Sequence, residues 1–152
     1  ILYLITTPMQ SLSTGAPAFG LHDVALTILF LVLLGIETIA DQQQWNFHQA
    51  KTRGEKSGFL TAGLFSVSRH PNFFAEQSQW WVLFFFSVTA TGQIAQWTVL
   101  GAILLTTIFI GSTRFTESIS VSKYPEYADY QRRVSPIIPW FPKPESSVKR
   151  AN

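Results

Sequence analysis

The stretch SVSRHPNFFAEQSQWWVLFFF, residues 66–86, joins a polar, cationic start to a run as apolar as a membrane span. Pro71 suits the first turn of a helix, where its missing N–H would be unpaired in any case. Arg69 and His70 therefore precede a helix N-terminus, whose backbone N–H groups attract anions. Glu76 follows inside the helix, where a carboxyl beside an apolar segment costs free energy unless it is paired or used. The stretch predicts a helix that starts in a polar site and continues into a bilayer.

The composition also indicates a membrane protein, since 47% of the 152 residues are hydrophobic and only 13% are charged. Segments 21–40 and 94–112 each have about the 20 residues that a bilayer core requires, and 71–91 is a third such segment. Segment 1–13 is apolar but short and contains Pro8. It predicts a broken helix or, as the missing initiator Met favours, the end of a span. We expect an all-α integral membrane helical bundle with three clear transmembrane helices plus a partial N-terminal one.

The C-terminal stretch SPIIPWFPKPE, residues 135–145, contains four prolines and is incompatible with a helix. It predicts an extended tail packed along the surface. We expect one membrane domain over residues 1–144 and a disordered end over 145–152. The chain has no cysteine and no zinc-type histidine spacing, so no metal site is expected.

The basic residues fall into two groups, one between apolar segments 21–40 and 71–91 and one after segment 94–112. They are Lys51, Arg53, Lys56 and Arg69 in the first group, and Arg114, Lys123, Arg132, Arg133, Lys143, Lys149 and Arg150 in the second. Three crossings place both groups on one side, which the positive-inside rule assigns to the cytosol or the mitochondrial matrix. We expect the endoplasmic reticulum or the mitochondrial inner membrane as the location. The charges predict contact with membrane lipids and no nucleic-acid partner.

A polar stripe leaves the first long apolar segment at spacings of four, three and four residues, formed by Glu37, Asp41, Gln44 and His48. Such spacing places the four side chains on one helix face. A solvated helix end would explain part of the stripe. Glu37 and Asp41 fit that explanation less well, because the helix dipole disfavours carboxylates near a C-terminus. From Asn72, a second stripe continues through Glu76, and the two stripes together favour a binding site.

The last apolar segment ends in a third group of polar residues. Arg114 and Glu117 lie three residues apart, and Tyr124, Tyr127 and Tyr130 follow at i, i+3 spacing, which aligns them on one helix face. The tyrosines are typical either of an aromatic belt at headgroup depth or of one wall of a site.

Three blocks together resemble a known pattern: ADQQQWNFH, GFLTAGLFSVSRHPNFFAEQSQWW and STRFTESISVSKYPEYADYQRRVSPIIPW. In this order and spacing they resemble the C-terminal half of the steroid 5-alpha-reductase-like membrane family, closest to its branch of unknown substrate in bacteria, fungi and protists. The resemblance covers residues 24–142. It implies a cavity on the cytosolic side that holds NADPH, and hydride transfer to a carbon–carbon double bond conjugated to a carbonyl in a lipid or sterol-like substrate.

The resemblance also implies a set of cofactor-binding positions. They are Glu37, Asp41, His48, Arg69, His70, Asn72, Glu76, Arg114, Tyr124, Tyr127 and Tyr130. Glu37 stands where the reductases have an asparagine, and His48 where they have an arginine. Asn72 matches the asparagine that contacts the nicotinamide region. The family's acid residue and substrate-orienting tyrosine belong to its N-terminal half, so no catalytic residue is assigned here.

Two alternatives remain beside the reductase. A reductase-like fold is compatible with a non-catalytic accessory subunit of a larger membrane complex, respiratory or otherwise organellar, whose partners are other membrane subunits. Arg-His-Pro followed by an acidic residue also suits an S-adenosylmethionine-dependent membrane methyltransferase.

Overall fold

A computed structural model describes residues 20–144, which contain helices and no strand. The helices are α1 (Leu21–Thr52), α2 (Pro71–Thr91), α3 (Val99–Lys123) and α4 (Tyr127–Arg133), with a short 3-10 helix at Gly63–Ser66. The all-helical expectation is confirmed for this part of the chain. The expected partial N-terminal span and the expected disordered end at 145–152 lie outside the described residues.

Two helices, α1 and α3, are long and apolar enough to cross a membrane. Within the described residues, only 11% of the apolar window of α1 and 22% of that of α3 are buried, so most of the apolar surface of both helices is exposed. α2 has the length of a span but is not apolar enough to join them, because polar side chains such as Asn72 and Glu76 occupy its first turns. The described residues therefore contain two helices that are long and apolar enough to cross a membrane, where the sequence predicts three.

The chain divides into two compact units, and residues 20–35 and 75–111 are the described part of the first. The start of α1 meets the end of α2, where the Thr89 hydroxyl donates to Asp23 Oδ1 at 3.0 Å. α2 and α3 run antiparallel, because Ser87 bonds to Gln96 at 2.8 Å and Gln77 donates to Thr106 at 2.7 Å. The buried apolar side chains of this unit include Ala75, Val82, Phe84, Ala102 and Leu105, and the polar Gln79, Ser87 and Thr98 are buried as well.

The second unit comprises residues 36–74 and 112–144 in its described part. Its 3-10 helix starts at Gly63, whose φ of +64° favours glycine. The Leu64 N–H donates to Oε1 of Gln43 at 3.0 Å, and a Cβ on Gly63 would overlap that same side-chain amide. Gly63 therefore permits a close approach between this segment and α1.

The proline-rich tail is extended and lies alongside the residues that precede α2. Arg69 N donates to the Ser135 carbonyl and Trp140 N donates to the Val67 carbonyl, each at 2.9 Å. Between them, the fully buried Ser68 donates its hydroxyl to the Ile137 carbonyl at 2.6 Å. The tail is thus fixed to the start of the Arg-His-Pro-Asn sequence.

Gly63→Ala is expected to destabilise the protein more than the control Gly54→Ala. Both glycines have positive φ, so each alanine incurs a backbone cost of roughly 1 kcal/mol. Only Gly63→Ala also displaces Gln43, which adds about the 0.5–1.5 kcal/mol of a lost hydrogen bond, whereas a Cβ on Gly54 meets nothing within 4 Å. Thermal unfolding of both variants in detergent measures the difference, and equal losses would contradict the assigned contact.

Candidate functional site

The centre of the second unit is an ion pair between Arg69, which precedes α2, and Glu117 on α3. Arg69 Nε lies 2.6 Å from Glu117 Oε1 and Nη2 lies 3.1 Å from Oε2, so the contact is bidentate. The two side chains are 9% and 10% exposed. His70 Nε2 lies 3.1 Å from Oε1, and the Gln131 amide donates to Oε2 at 2.9 Å. The carboxylate therefore has hydrogen-bond partners on both oxygens, which a buried charge requires.

The rest of the Arg69 guanidinium binds the chain around the end of α4. Nη1 donates to the Gln131 carbonyl at 2.6 Å and to the Val134 carbonyl at 3.0 Å. Arg69 thereby connects α3, α4 and the tail. Its donors serve the fold, although the sequence suggested a place at the mouth of a phosphate site.

The three tyrosines surround one phenylalanine. The ring centroid of Phe59 lies 5.8, 4.8 and 5.5 Å from the ring centroids of Tyr124, Tyr127 and Tyr130, respectively. The Tyr130 hydroxyl donates to the Phe65 carbonyl. Burial raises the pKa of Tyr127 to about 12 and also raises the pKa of Tyr130. These two tyrosines belong to an aromatic core, and that core forms one wall of the cavity described next.

A cavity of about 350 Å³ lies among the residues of the second unit. The lining consists of the C-terminal part of α1, residues 58–60 and 65, residues 69–73, the end of α3, and the three tyrosines. Its basic side chains include His48, Lys51 and Lys123. The cavity combines lysine side chains with aromatic faces. A phosphorylated aromatic ligand needs this combination, because the lysines can bind its phosphate and the aromatic faces its ring.

Lys51 and Tyr124 form the polar corner of this cavity. The Lys51 ammonium donates to the Gly58 carbonyl at 2.6 Å and to the Tyr124 hydroxyl at 2.5 Å. Lys123 Nζ lies 5.6 Å from the centroid of the Tyr124 ring. The hydrogen bond from Lys51 lowers the pKa of Tyr124, and the charge of Lys123 acts in the same direction. Tyr124 thus differs from its two neighbours, whose pKa values are raised.

The structure brings most of the sequence-predicted site residues together. Those that line the cavity are His48, Arg69, His70, Asn72, Tyr124, Tyr127 and Tyr130. Asp41 does not line it but accepts a 3.0 Å hydrogen bond from the Asn72 amide. Glu37, half-buried, and Arg114, exposed, are not among the lining residues. Glu76 lies one turn beyond Asn72 on α2, within the first unit.

Sequence reasoning missed Lys51, Phe59 and Lys123 as site residues. The two lysines were counted only for membrane orientation, and Phe59 stands alone in a loop without periodicity. A signal was present in the position of each lysine, since both lie within the last turn of a helix that continues an apolar segment.

The described chain is thus an all-helical protein with two helices suited to a membrane and a cationic, aromatic cavity built around a buried ion pair. It belongs to the family described as "Protein of unknown function (DUF1295)", whose sequence model matches residues 1–134. An uncharacterized protein of Schizosaccharomyces pombe is 35% identical over 156 aligned residues. That alignment covers 91% of this chain and 45% of the yeast protein, so the chain spans about half the length of its relative. None of the solved structures matches the chain.

Glu117→Gln is expected to destabilise the protein by about 3–5 kcal/mol, because it leaves the buried Arg69 guanidinium without a counter-charge. Denaturant unfolding in detergent measures the loss. The control is Glu55→Gln, which removes the exposed ion pair with Arg53 and should change stability little. Equal effects of the two substitutions would show that the Arg69–Glu117 pair has no special structural role.

Tyr124 is expected to ionise at lower pH than Tyr127 or Tyr130, since Lys51 lowers its pKa and burial raises theirs. Ultraviolet absorbance of tyrosinate during an alkaline titration measures the order. Tyr124→Phe should remove an early step, and Lys51→Met should move that step to higher pH. The titration curves of the wild-type protein and of Tyr124→Phe are compared at pH values below the ionisation of Tyr127. Identical curves in that range would contradict the Lys51 contact.

Proposed function

We propose that this chain is the cofactor-binding part of a membrane-embedded, NADPH-dependent reductase that acts on a conjugated carbon–carbon double bond in a lipid or sterol-like substrate. The observation that carries the proposal is the cavity in which Lys51, Lys123 and His48 stand beside an aromatic wall. The reductase chemistry itself comes from the resemblance to the steroid 5-alpha-reductase-like family. The proposal is supported by the basic and aromatic side chains of the cavity, whose chemistry suits a phosphorylated nucleotide.

The donor set suits the parts of NADPH. Lys51 and Lys123 offer cationic donors for phosphate groups and His48 offers a ring N–H, and all three lie where two helices end. Asp41 is outside the cavity lining, so we assign to its carboxylate the positioning of the Asn72 amide, which donates to it at 3.0 Å. The volume of about 350 Å³ is near the lower end of the usual range for ligand pockets, so it fits one half of a dinucleotide better than the whole.

Arg69 and His70 have a supporting role in this proposal. Arg69 is bound to Glu117 and to two carbonyls, so the phosphates are left to the lysines and His48. Asn72 follows directly on α2, and its side chain is held by Asp41. The buried ion pair therefore fixes the position of the cavity wall, and Asn72 is the residue of this wall that we assign to the nicotinamide region.

The bound cofactor would supply a hydride to the double bond. This chain would bind the phosphates, orient the nicotinamide through Asn72 and keep water from the hydride through its aromatic wall. We assign no proton donor, because the acid residue of the reductase family belongs to its N-terminal half, whereas this chain resembles the C-terminal half.

We further propose that α2 crosses the bilayer as a third span. In the first unit α2 packs against both apolar helices, antiparallel to α3, and Ala75, Val82 and Phe84 are buried there. A helix enclosed in this way can cross with a polar start, because its polar residues face protein instead of lipid. Three crossings place residues 53–70 and the chain after α3 together on the basic side, which faces the cytosol or the matrix.

Purified protein in lipid nanodiscs is expected to bind NADPH saturably, with weaker binding of NADH. Lys123→Gln should weaken NADPH binding roughly tenfold, the effect of about 1.4 kcal/mol from one charge-assisted hydrogen bond. Lys143→Gln removes the same charge outside the cavity lining and should leave the affinity unchanged. Fluorescence of the reduced nicotinamide measures the binding.

The same titration separates the alternatives. Binding of S-adenosylmethionine in place of NADPH would favour the methyltransferase. Absence of binding to either ligand, in protein that unfolds cooperatively, would contradict the proposed enzymatic function and favour an accessory subunit.

Asn72→Ala should reduce turnover about a hundredfold through lost positioning while the protein remains folded.

A further inference from the structure

The proline-rich tail presents three large apolar side chains to the outside. Ile138, Trp140 and Phe141 are 65%, 71% and 84% exposed. The tail is nevertheless held in place, because Trp140 N donates to the Val67 carbonyl and Ser68 bonds to Ile137. A fixed backbone with outward apolar side chains forms a contact surface, and we call Ile138, Trp140 and Phe141 the tail patch.

Two cations lie beside the tail patch. The Lys143 N–H donates to the Arg133 carbonyl at 2.9 Å, which brings these two exposed residues together. The neighbouring Arg132 is paired with Asp129, whereas within residues 20–144 no ion pair involves Arg133 or Lys143. Exposed aromatic residues next to such cations are typical of a segment that lies in the interface of a bilayer with anionic lipids.

The ion pair places the tail near the end of α3. Arg69 binds Glu117, which is six residues before Lys123, and it also binds the carbonyls of Val134 and Ser135. Six helical residues correspond to about 9 Å along the axis. α3 has 25 residues, about 37 Å, whereas the hydrocarbon core is about 30 Å thick, so the last turns of a spanning α3 extend to the headgroups. The start of the tail is therefore attached at headgroup depth.

We propose that the tail patch inserts into the headgroup region of an anionic bilayer, with Arg133 and Lys143 bound to lipid phosphates. Trp140 and Phe141 replace exposure to water with contact to the acyl boundary, and the two cations select negatively charged lipids. The tail thereby fixes the adjoining Arg-His-Pro-Asn segment relative to the membrane surface. This inference requires α3 to cross the bilayer and is independent of the cofactor.

The natural absence of cysteine allows single spin labels to test this proposal in reconstituted protein. A label at Phe141→Cys reports on the tail patch, and a label at Ile108→Cys reports on an exposed position of α3. A label at Glu126→Cys reports on an exposed polar position in the second unit, to which the tail also belongs. Vesicles contain phosphatidylcholine alone or with phosphatidylglycerol. Accessibility to oxygen and to a water-soluble nickel complex gives the depth of each label.

The proposal expects the Phe141→Cys label to lie at interface depth and to move deeper when phosphatidylglycerol is present. Arg133→Gln with Lys143→Gln should abolish that lipid dependence, whereas Lys56→Gln, a cation away from the tail, should preserve it.

A label at 141 as accessible to nickel as the label at 126 would overturn the proposal. Protection of 141 from both oxygen and nickel would also overturn it, because another protein segment would then cover the patch. If the label at 108 also lies in water, the failure belongs to the proposed span and not to the tail alone.

Discussion

The buried pair of Arg69 and Glu117 is the contact on which the second unit depends. The Glu117 carboxylate accepts hydrogen bonds from Arg69 and Gln131 and contacts His70. The remaining guanidinium donors of Arg69 bind two carbonyls at the end of α4. Replacing such a pair by apolar residues is often tolerated, but removing one partner strands a buried charge. The pair therefore specifies which surfaces meet: the start of α2, the end of α3 and the tail are joined at one point.

The cavity follows from this arrangement. The ion pair fixes residues 69–73 on one side, and Phe59 with its three tyrosines forms the aromatic wall of the same cavity. Lys51 reaches the Gly58 carbonyl and Tyr124, so the loop after α1 is held against the segment that leaves α3. The cations of the cavity are consequently positioned by the fold before any ligand binds, which reduces the entropy cost of binding.

Much of the fold could be predicted from local pattern. The helix start at Pro71, the helical spacing from Glu37 to His48, the two most apolar spans and the non-helical tail all follow from side-chain chemistry within a few residues. The pairing partners could not be predicted in this way. The carboxylate that binds Arg69 is Glu117, 48 residues away, and no local spacing indicates that pairing. Likewise, Gly63 makes room for Gln43, a contact that no local signal indicates.

If the cavity of the second unit is a nucleotide site, NADPH should change hydrogen–deuterium exchange in the segments that line it. We expect NADPH to slow exchange in segments 58–61 and 116–127, which contribute lining residues, and to leave segment 92–98 between α2 and α3 unchanged. The latter serves as an internal control because none of its residues lines the cavity. Identical exchange at 58–61 and 116–127 without NADPH and at saturating NADPH would show that the cavity does not bind this nucleotide.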